Sequence, residues 1–475
     1  MEPWKPATRD QKQYPHFDAP LSLSEMKRVA NDPSAVKSNK FHPFLRYEKS
    51  FRPFRPNGKE PKTREIRYGT RRDAAIFSRY RFGLSKLYEE ELTQRGLADC
   101  VLAYRRIPVK PGSSSGKCNI HHAKSAFECI IGLGDCCAVV MDISKYFENL
   151  DHAKIKRHWR NLLGVSELPD DHYAVFKAIT RYRIVDSRKA YEALGFFGTR
   201  PSGIPGYLTP RKDMPKQLCD PKEFRDKICG EAAGYPDLIE RRDRPYGIPQ
   251  GAPLSDLLAN LYLIDFDTEM HEILSSIGGF YMRYSDDLLL IIPGGADDAL
   301  EMMEQVRRRI RNFGTRLQIK EQKCSVHRFR RMAGGGLSHQ HVFPIGKNSN
   351  GLSYLGFRFD GQRVYLRDGT LGGFWRKASA MLSREVVSLV KRYPGKDLTF
   401  LRGEFNVDHV IQRVGRVRGF ERRLDKKSWT FWTYVTRANT IFGDMSHIHS
   451  QLSRYRSKIR SKAEERLAKT YYKYL

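Results

Sequence analysis

The sequence contains no CxxC pair, although it holds eight cysteines. That spacing argues against the common structural zinc arrangements. Cys136 and Cys137 stand side by side in an apolar run and read as small core residues. Also missing is any apolar run long enough to cross a bilayer, and the opening MEPWKPATRD has no apolar signal core. A soluble cytoplasmic protein with no membrane partner is expected, in which disulfides are disfavoured. No internal repeat is visible. Acid is scarce as well: 54 Asp and Glu face 84 Lys and Arg, a net charge of +30. An excess of that size on a soluble chain points to a polyanion, most often nucleic acid. Hydrophobic residues make up 40% of the 475, enough for a real core and for about two to four packed units.

Residues 1–60, rich in Pro, Phe, Lys and Arg, read as an extended basic arm. Apolar residues then return at helical spacing from Asp73 to Gln94. CCAVVMD reads as a buried strand, followed by a helix that Asp151 caps and Gly164 closes. The stretch at about 165–245 reads as a mostly irregular insertion. A helix is expected over 252–271 with Pro253 in its first turn, then a hairpin at FYMRYSDDLLLII, a helix over 297–313 and a short strand at RLQIK. That order predicts an α+β chain whose central sheet is a split βαβ with helices on one face. After residue 372 the chain reads as helical and basic.

Asp286 and Asp287 fall where the hairpin should turn, and Asp142 ends another apolar strand. If the two strands are neighbours, three carboxylates meet at one sheet edge. They repel unless cations neutralise them. Mg²⁺ prefers such oxygen ligands together with substrate phosphates, and two ions can activate a hydroxyl and stabilise a leaving oxygen. Taken alone, the paired aspartates could equally be an ordinary turn.

MDISKYFENLDH, GIPQGAPLSDLLANLYL and YSDD occur in this order, followed by Lys323 in IKEQKCSV and by Tyr354, Leu355, Gly356 and Phe357. In these motifs the chain resembles reverse transcriptases, over roughly residues 60–370. The resemblance implies a right-hand polymerase fold: fingers over 61–137, a ferredoxin-like palm over 138–370 and an α-helical thumb over 371–475. It implies two Mg²⁺ ions, with Mn²⁺ as the alternative, at Asp142, Ile143, Asp286 and Asp287. Lys323 would donate a proton to pyrophosphate. Tyr146 and Phe147 would line the deoxynucleotide site, with Phe147 as a steric gate against a ribose 2′-OH. Gln250 and Gly251 would sit near the template base and incoming nucleotide. Lys62, Arg64, Arg71 and Arg72 are candidates to clamp the triphosphate, and Arg105 is a second-tier candidate for placing the template. Residues 354–357 would form the primer grip.

Within that family the long insertion, the LAYR segment and the bare basic tail look most like the bacterial defence-associated enzymes related to abortive infection. The resemblance then implies antiphage defence, a structured noncoding RNA template, dNTPs and a DNA product, and it is compatible with a homo-oligomer. Two alternatives stay open: an untemplated or protein-primed DNA polymerase, and an RNA-binding or splicing scaffold with a vestigial site.

Overall fold

A computed structural model describes residues 2–51, 62–346, 349–414 and 431–474, without the side chains of Phe51 and Lys62. The apolar run ending at Asp142 forms strand Cys136–Asp142, with Cys136, Cys137, Ala138 and Val139 fully buried. Its strand lies in a five-stranded sheet whose spatial order is Leu337–Phe343, Ser325–Arg331, Cys136–Asp142, Asp287–Pro293, Phe280–Tyr284. Counted along the chain, the last four run fourth, first, third, second. That is the ferredoxin-like order expected of a split βαβ unit. The mixed helix-and-sheet architecture is consistent with a right-hand polymerase fold.

The fourth strand is not where the sequence suggested. RLQIK forms only a bridge, between Ile319 and Ile143. The strand is Ser325–Arg331, paired antiparallel with residues 136–140. Alternation in RLQIK and in SVHRFRR is similar, and only the long-range partner distinguishes them. The helix expected over 252–271 is likewise two helices, Ser255–Tyr262 and Ile264–Ser276, with Pro253 ahead of the first. The break has a physical cause. The carbonyl of Asn260 accepts the Leu263 amide at 3.3 Å and a buried guanidinium at 3.2 Å, which draws it off the helix ladder.

Two compact units can be distinguished: residues 1–105, 141–290 and 301–324 in one, and 106–140, 291–300 and 325–475 in the other. In the first, helix Arg71–Gln94 forms as expected, capped by the Thr70 side chain and burying Ile76, Phe77, Tyr80 and Leu84. Helix His152–Leu163 has the expected ends: Asp151 accepts from the Lys154 amide, and Gly164 takes a left-handed φ of 66°.

The described part of the N-terminal stretch departs from the extended arm. Helices Leu23–Asn31 and Pro33–Lys37 and strand Phe44–Phe51 are present, and Trp4, Phe17, Val29 and Leu45 are buried. The Asn31 side chain ties both polar backbone groups of Trp4, at 2.8 and 2.9 Å. The insertion is also more regular than expected. Helix Asp170–Thr180 precedes strand Arg183–Asp186, which pairs parallel with residues 44–46. A sheet of order Lys62–Tyr68, Phe44–Phe51, Arg183–Asp186, Glu240–Arg241 joins arm and insertion. Pairing partners well over a hundred residues apart leave no local signal in the sequence.

In the second unit, helix Asp368–Arg392 packs with the helices after it: Phe374, Leu382, Val410 and Ile459 share one core, and Phe374 stacks on Phe431 at 4.1 Å. The same unit buries a histidine cluster. His327 lies 2.9 Å from His339, and its ring is 5.0 Å from that of His341. Burial lowers His327 to about 3 and His339 to about 4. Both are neutral when folded but accept a proton near pH 6.5 when unfolded. The unfolded state therefore binds more protons between those values, so stability is full above about pH 6.5 and is lost as pH falls toward 4. The melting temperature is expected to drop over that window. His339→Gln should flatten the slope, and an unchanged slope would refute the account.

Candidate active site

The loop after strand Cys136–Asp142 and the hairpin turn between Phe280–Tyr284 and Asp287–Pro293 are joined by backbone: the Ile143 amide donates to the Asp286 carbonyl at 2.9 Å. The next amide, Ser144, donates to the Gln318 carbonyl at 2.9 Å. These bonds bring Asp142, Asp286 and Lys323 to one place, although they lie far apart in sequence. The Lys323 ammonium is ion-paired with Asp142. Burial raises the pKa of Asp286, and the charge of Asp142 pushes it the same way while Lys323 opposes them. Asp287 opens the following strand.

A divalent cation suits this donor set. Hard carboxylate oxygens, with the charge of Asp142 raising the proton affinity of Asp286 and a lysine already drawn to Asp142, provide the local field such an ion needs. Among the described residues, no group of three or more His, Cys, Asp or Glu could by itself hold a metal ion. An ion bound here would therefore complete its shell with substrate phosphate and water.

A buried network holds the turn. Arg283, fully buried, meets Asp267 through Nε at 2.7 Å and Nη2 at 2.5 Å, and donates to the Ser285 carbonyl and to Asn260 Oδ1, both at 3.1 Å. Tyr281 adds a hydrogen bond to Asp267 at 2.7 Å. Ser285 itself has φ 63°, a costly value for a residue with a Cβ, which persists because its surroundings over-determine it. The charged residue within the apolar strand YMRY was the signal for this network, and sequence reasoning passed over it.

Tyr104 was also passed over. Its hydroxyl accepts from Ser285 Oγ at 3.1 Å, and 44% of the residue is exposed beside Asp286. The segment leading to it runs along strand Phe280–Tyr284, with the Leu102 amide on the Arg283 carbonyl at 2.9 Å. Arg81 grips the Tyr104 carbonyl and pairs with Asp256, while Asn260 holds the Ala103 carbonyl at 2.8 Å.

The remaining expected residues fall out as follows. Tyr146 is buried and donates its hydroxyl to the Ala259 carbonyl, so it braces the palm. The carbonyl of the neighbouring Phe147 accepts from the Ile248 amide at 2.9 Å, which joins Phe147 to the glutamine turn. The Gln250 carbonyl accepts from the Arg67 amide at 2.9 Å. At Gly251, with φ 121°, a Cβ would lie 2.5 Å from the Arg67 carbonyl, so only glycine fits this approach.

Arg71 does not offer itself to a triphosphate. It is buried, and its guanidinium donates to the carbonyls of Lys12, Asp18, Tyr14 and Lys216 and to the Asp18 carboxylate. Arg105 is spent similarly on Glu89 and on the carbonyls of Ala98 and Val101. Arg64 and Arg72 have exposed side chains, and the side chain of Lys62 lies outside the described residues.

In the second unit, Tyr354 to Phe357 form a tight turn between strands Leu352–Tyr354 and Phe357–Phe359, with Leu355 at φ 44° and Gly356 at φ 95°. Asn119 ties the Leu355 carbonyl at 3.0 Å and the Tyr434 hydroxyl at 2.9 Å. Phe357 is fully buried against Phe442.

The ferredoxin-like sheet thus carries Asp142 and Asp287 at the ends of neighbouring strands, the arrangement expected of a polymerase palm. Residues 236–359 match the family described as reverse transcriptase (RNA-dependent DNA polymerase), so that segment resembles a reverse transcriptase domain. The match includes Gln250, Asp286, Asp287, Lys323 and the 354–357 turn. Asp142 and Phe147 lie outside it. No curated protein matches the chain.

Among solved structures, the chain is similar to an apo telomerase of Candida tropicalis truncated from its C-terminal domain. The TM-score is 0.39 at 10% identity, over 73% of this chain and 61% of that one. It is also similar to Candida albicans telomerase in complex with a TWJ fragment of telomeric RNA, at TM-score 0.38 and 11% identity, over 93% and 62% of the two chains. The corresponding Candida tropicalis complex gives TM-score 0.37 and 12% identity, over 95% and 63%. The chain thus spans about three fifths of the length of each.

Proposed function

We propose that this protein is an RNA-templated DNA polymerase of a bacterial cytoplasm that acts in antiphage defence with a structured noncoding RNA. The observation that carries the catalytic part is the meeting of Asp142, Asp286 and Lys323 at the edge of the palm sheet. The defence part rests on the sequence pattern alone: the insertion, the LAYR segment and the basic tail. No described helix is long and apolar enough to cross a membrane.

Asp142 and Asp286, with Asp287 and the Ile143 backbone beside them, would hold Mg²⁺. When bound, it supplies charge neutralisation at the attacking hydroxyl and the leaving oxygens. Lys323, ion-paired with Asp142, would give a proton to departing pyrophosphate. The Arg283 network keeps the turn of Asp286 in its left-handed start, so the carboxylate is positioned before substrate arrives. Phe147, fixed through its carbonyl to Ile248, would close the sugar site to a 2′-OH.

Purified protein supplied with Mg²⁺, its co-purifying RNA and dNTPs should make labelled DNA whose sequence is the complement of that RNA. A product with no complement in the bound RNA would favour untemplated synthesis instead. Labelling that survives Asp286→Ala with Asp287→Ala would refute the assignment. For the gate, Phe147→Ala is expected to lower discrimination against ribonucleotides by about tenfold to 200-fold, the range for loss of a close hydrophobic contact. Incorporation assays with competing rNTPs measure this, and an unchanged ratio would remove the gate.

A further inference from the structure

We infer that the unit carrying the carboxylates holds a second ligand site, away from them, that takes a nucleoside phosphate. The site is a cavity of about 540 Å³ between helix Pro33–Lys37, the segment 39–42 and helix Asp170–Thr180 with the residues that follow it. That volume suits a single nucleotide.

Three features of the lining point to the ligand's chemistry. The first is charge. Lys40, Lys177, Arg181 and Arg183 are exposed at the cavity and form no ion pair with a carboxylate among the described residues. The single carboxylate of the lining, Asp170, is already bridged to Lys37 at 2.7 Å. Four uncompensated cations around one concavity favour a phosphate.

The second feature is the aromatic surface. Phe41, Tyr173 and Tyr182 line the same cavity, and Tyr173 is 43% exposed. The exposed ring of Tyr173, set among these cations, suits a base as well as its phosphate.

The third is an orphaned group. Tyr182 is only 3% exposed, yet its buried hydroxyl has no hydrogen-bond partner among the described residues. A buried hydroxyl left in that state costs roughly 1–3 kcal/mol, and a sugar or phosphate oxygen in the cavity would relieve it.

The wall is built rather than loose. Buried Asp73 accepts from the His42 amide and from Asn39 Nδ2, each at 3.0 Å, which pins the segment carrying Lys40 and Phe41. Phe41 also stacks on Phe77 at 5.6 Å. Phe41 and His42 of the N-terminal stretch, with no role in the carboxylate site, thereby supply one side of the cavity.

Two sources share this chemistry: a free nucleotide, and one nucleotide of a single-stranded RNA. The test uses the full chain carrying Asp286→Asn, in EDTA, so that binding is read apart from polymerisation. The probes are AMP and a five-nucleotide oligoribonucleotide with 5-iodouridine. Adding Lys177→Glu and Arg181→Glu should weaken a bound probe about tenfold or more. For the oligomer, the dependence of log affinity on log salt should become shallower by roughly 1.4, about 0.7 for each lost phosphate contact. Tyr182→Phe should weaken binding with no loss of melting temperature, because the hydroxyl has no partner among the described residues to lose. Weakening of AMP alone identifies the free nucleotide, and weakening of the oligomer alone identifies the RNA strand. Equal affinity of the charge-reversed and parent proteins for both probes overturns the site, as do oligomer crosslinks that avoid Phe41 and Tyr173.

Discussion

Asp286→Asn is expected to cut DNA synthesis by about a hundredfold to a thousandfold and at the same time to raise the melting temperature. Both results follow from the same feature. Burial and the charge of Asp142 raise the pKa of Asp286 above its unfolded value. The unfolded state then gives up its proton first. The contribution of this group to stability is therefore full below its unfolded pKa and is lost as pH rises through its folded pKa. At neutral pH the ionised carboxylate is a cost to the fold, and an amide of the same shape removes that cost. Catalysis needs the charge, and losing one preorganised charge of this kind lowers turnover by about a hundredfold to a thousandfold. The pair of measurements separates this reading from a merely structural aspartate, which would lose stability when changed. A variant that melts earlier than the parent, or that still makes DNA at the parental rate, contradicts it.

Arg283→Met should produce the opposite stability change, and a larger one. It strips the partner from Asp267, which is fully buried, and leaves a charge in the core. Breaking a buried pair on one side costs about 3–5 kcal/mol. It also frees the Ser285 carbonyl, so the left-handed turn before Asp286 loses its brace. Urea unfolding should show the loss in midpoint. Adding Asp267→Leu should recover much of the stability, because replacing both ions with apolar groups is far less costly than orphaning one. Synthesis should stay low in the double variant, since the turn is still unbraced. Activity that returns along with stability would show that Arg283 serves the fold alone.

The comparison between sequence and structure divides along the range of the interactions. Helices Arg71–Gln94 and His152–Leu163 were legible because caps and apolar spacing are local. The hairpin at 280–293 was legible for the same reason: two apolar runs flank a polar pair. Strand Arg183–Asp186 was not, because its partner lies at residues 44–46. The fourth palm strand was misplaced at RLQIK, since alternation alone does not say which segment finds residues 136–140. Basic residues were the hardest to sort. Arg71 and Arg105 look like phosphate ligands in sequence, but each is spent on backbone carbonyls and a carboxylate. An arginine's five donors serve either use equally well, and only its surroundings decide.

By itself, the sequence determined the chemistry on offer: carboxylates at the ends of apolar strands, a bulky ring five positions after the first of them, and a chain too basic to ignore polyanions. Local patterning suffices for these, because each is a property of residue type and short spacing. The tertiary structure alone decided that Asp142 and Asp286 share a field with Lys323, that a buried Arg283 braces their turn, and that the N-terminal stretch joins the insertion in one sheet. Those outcomes depend on desolvation and on contacts between distant segments, which exist only once the chain has folded.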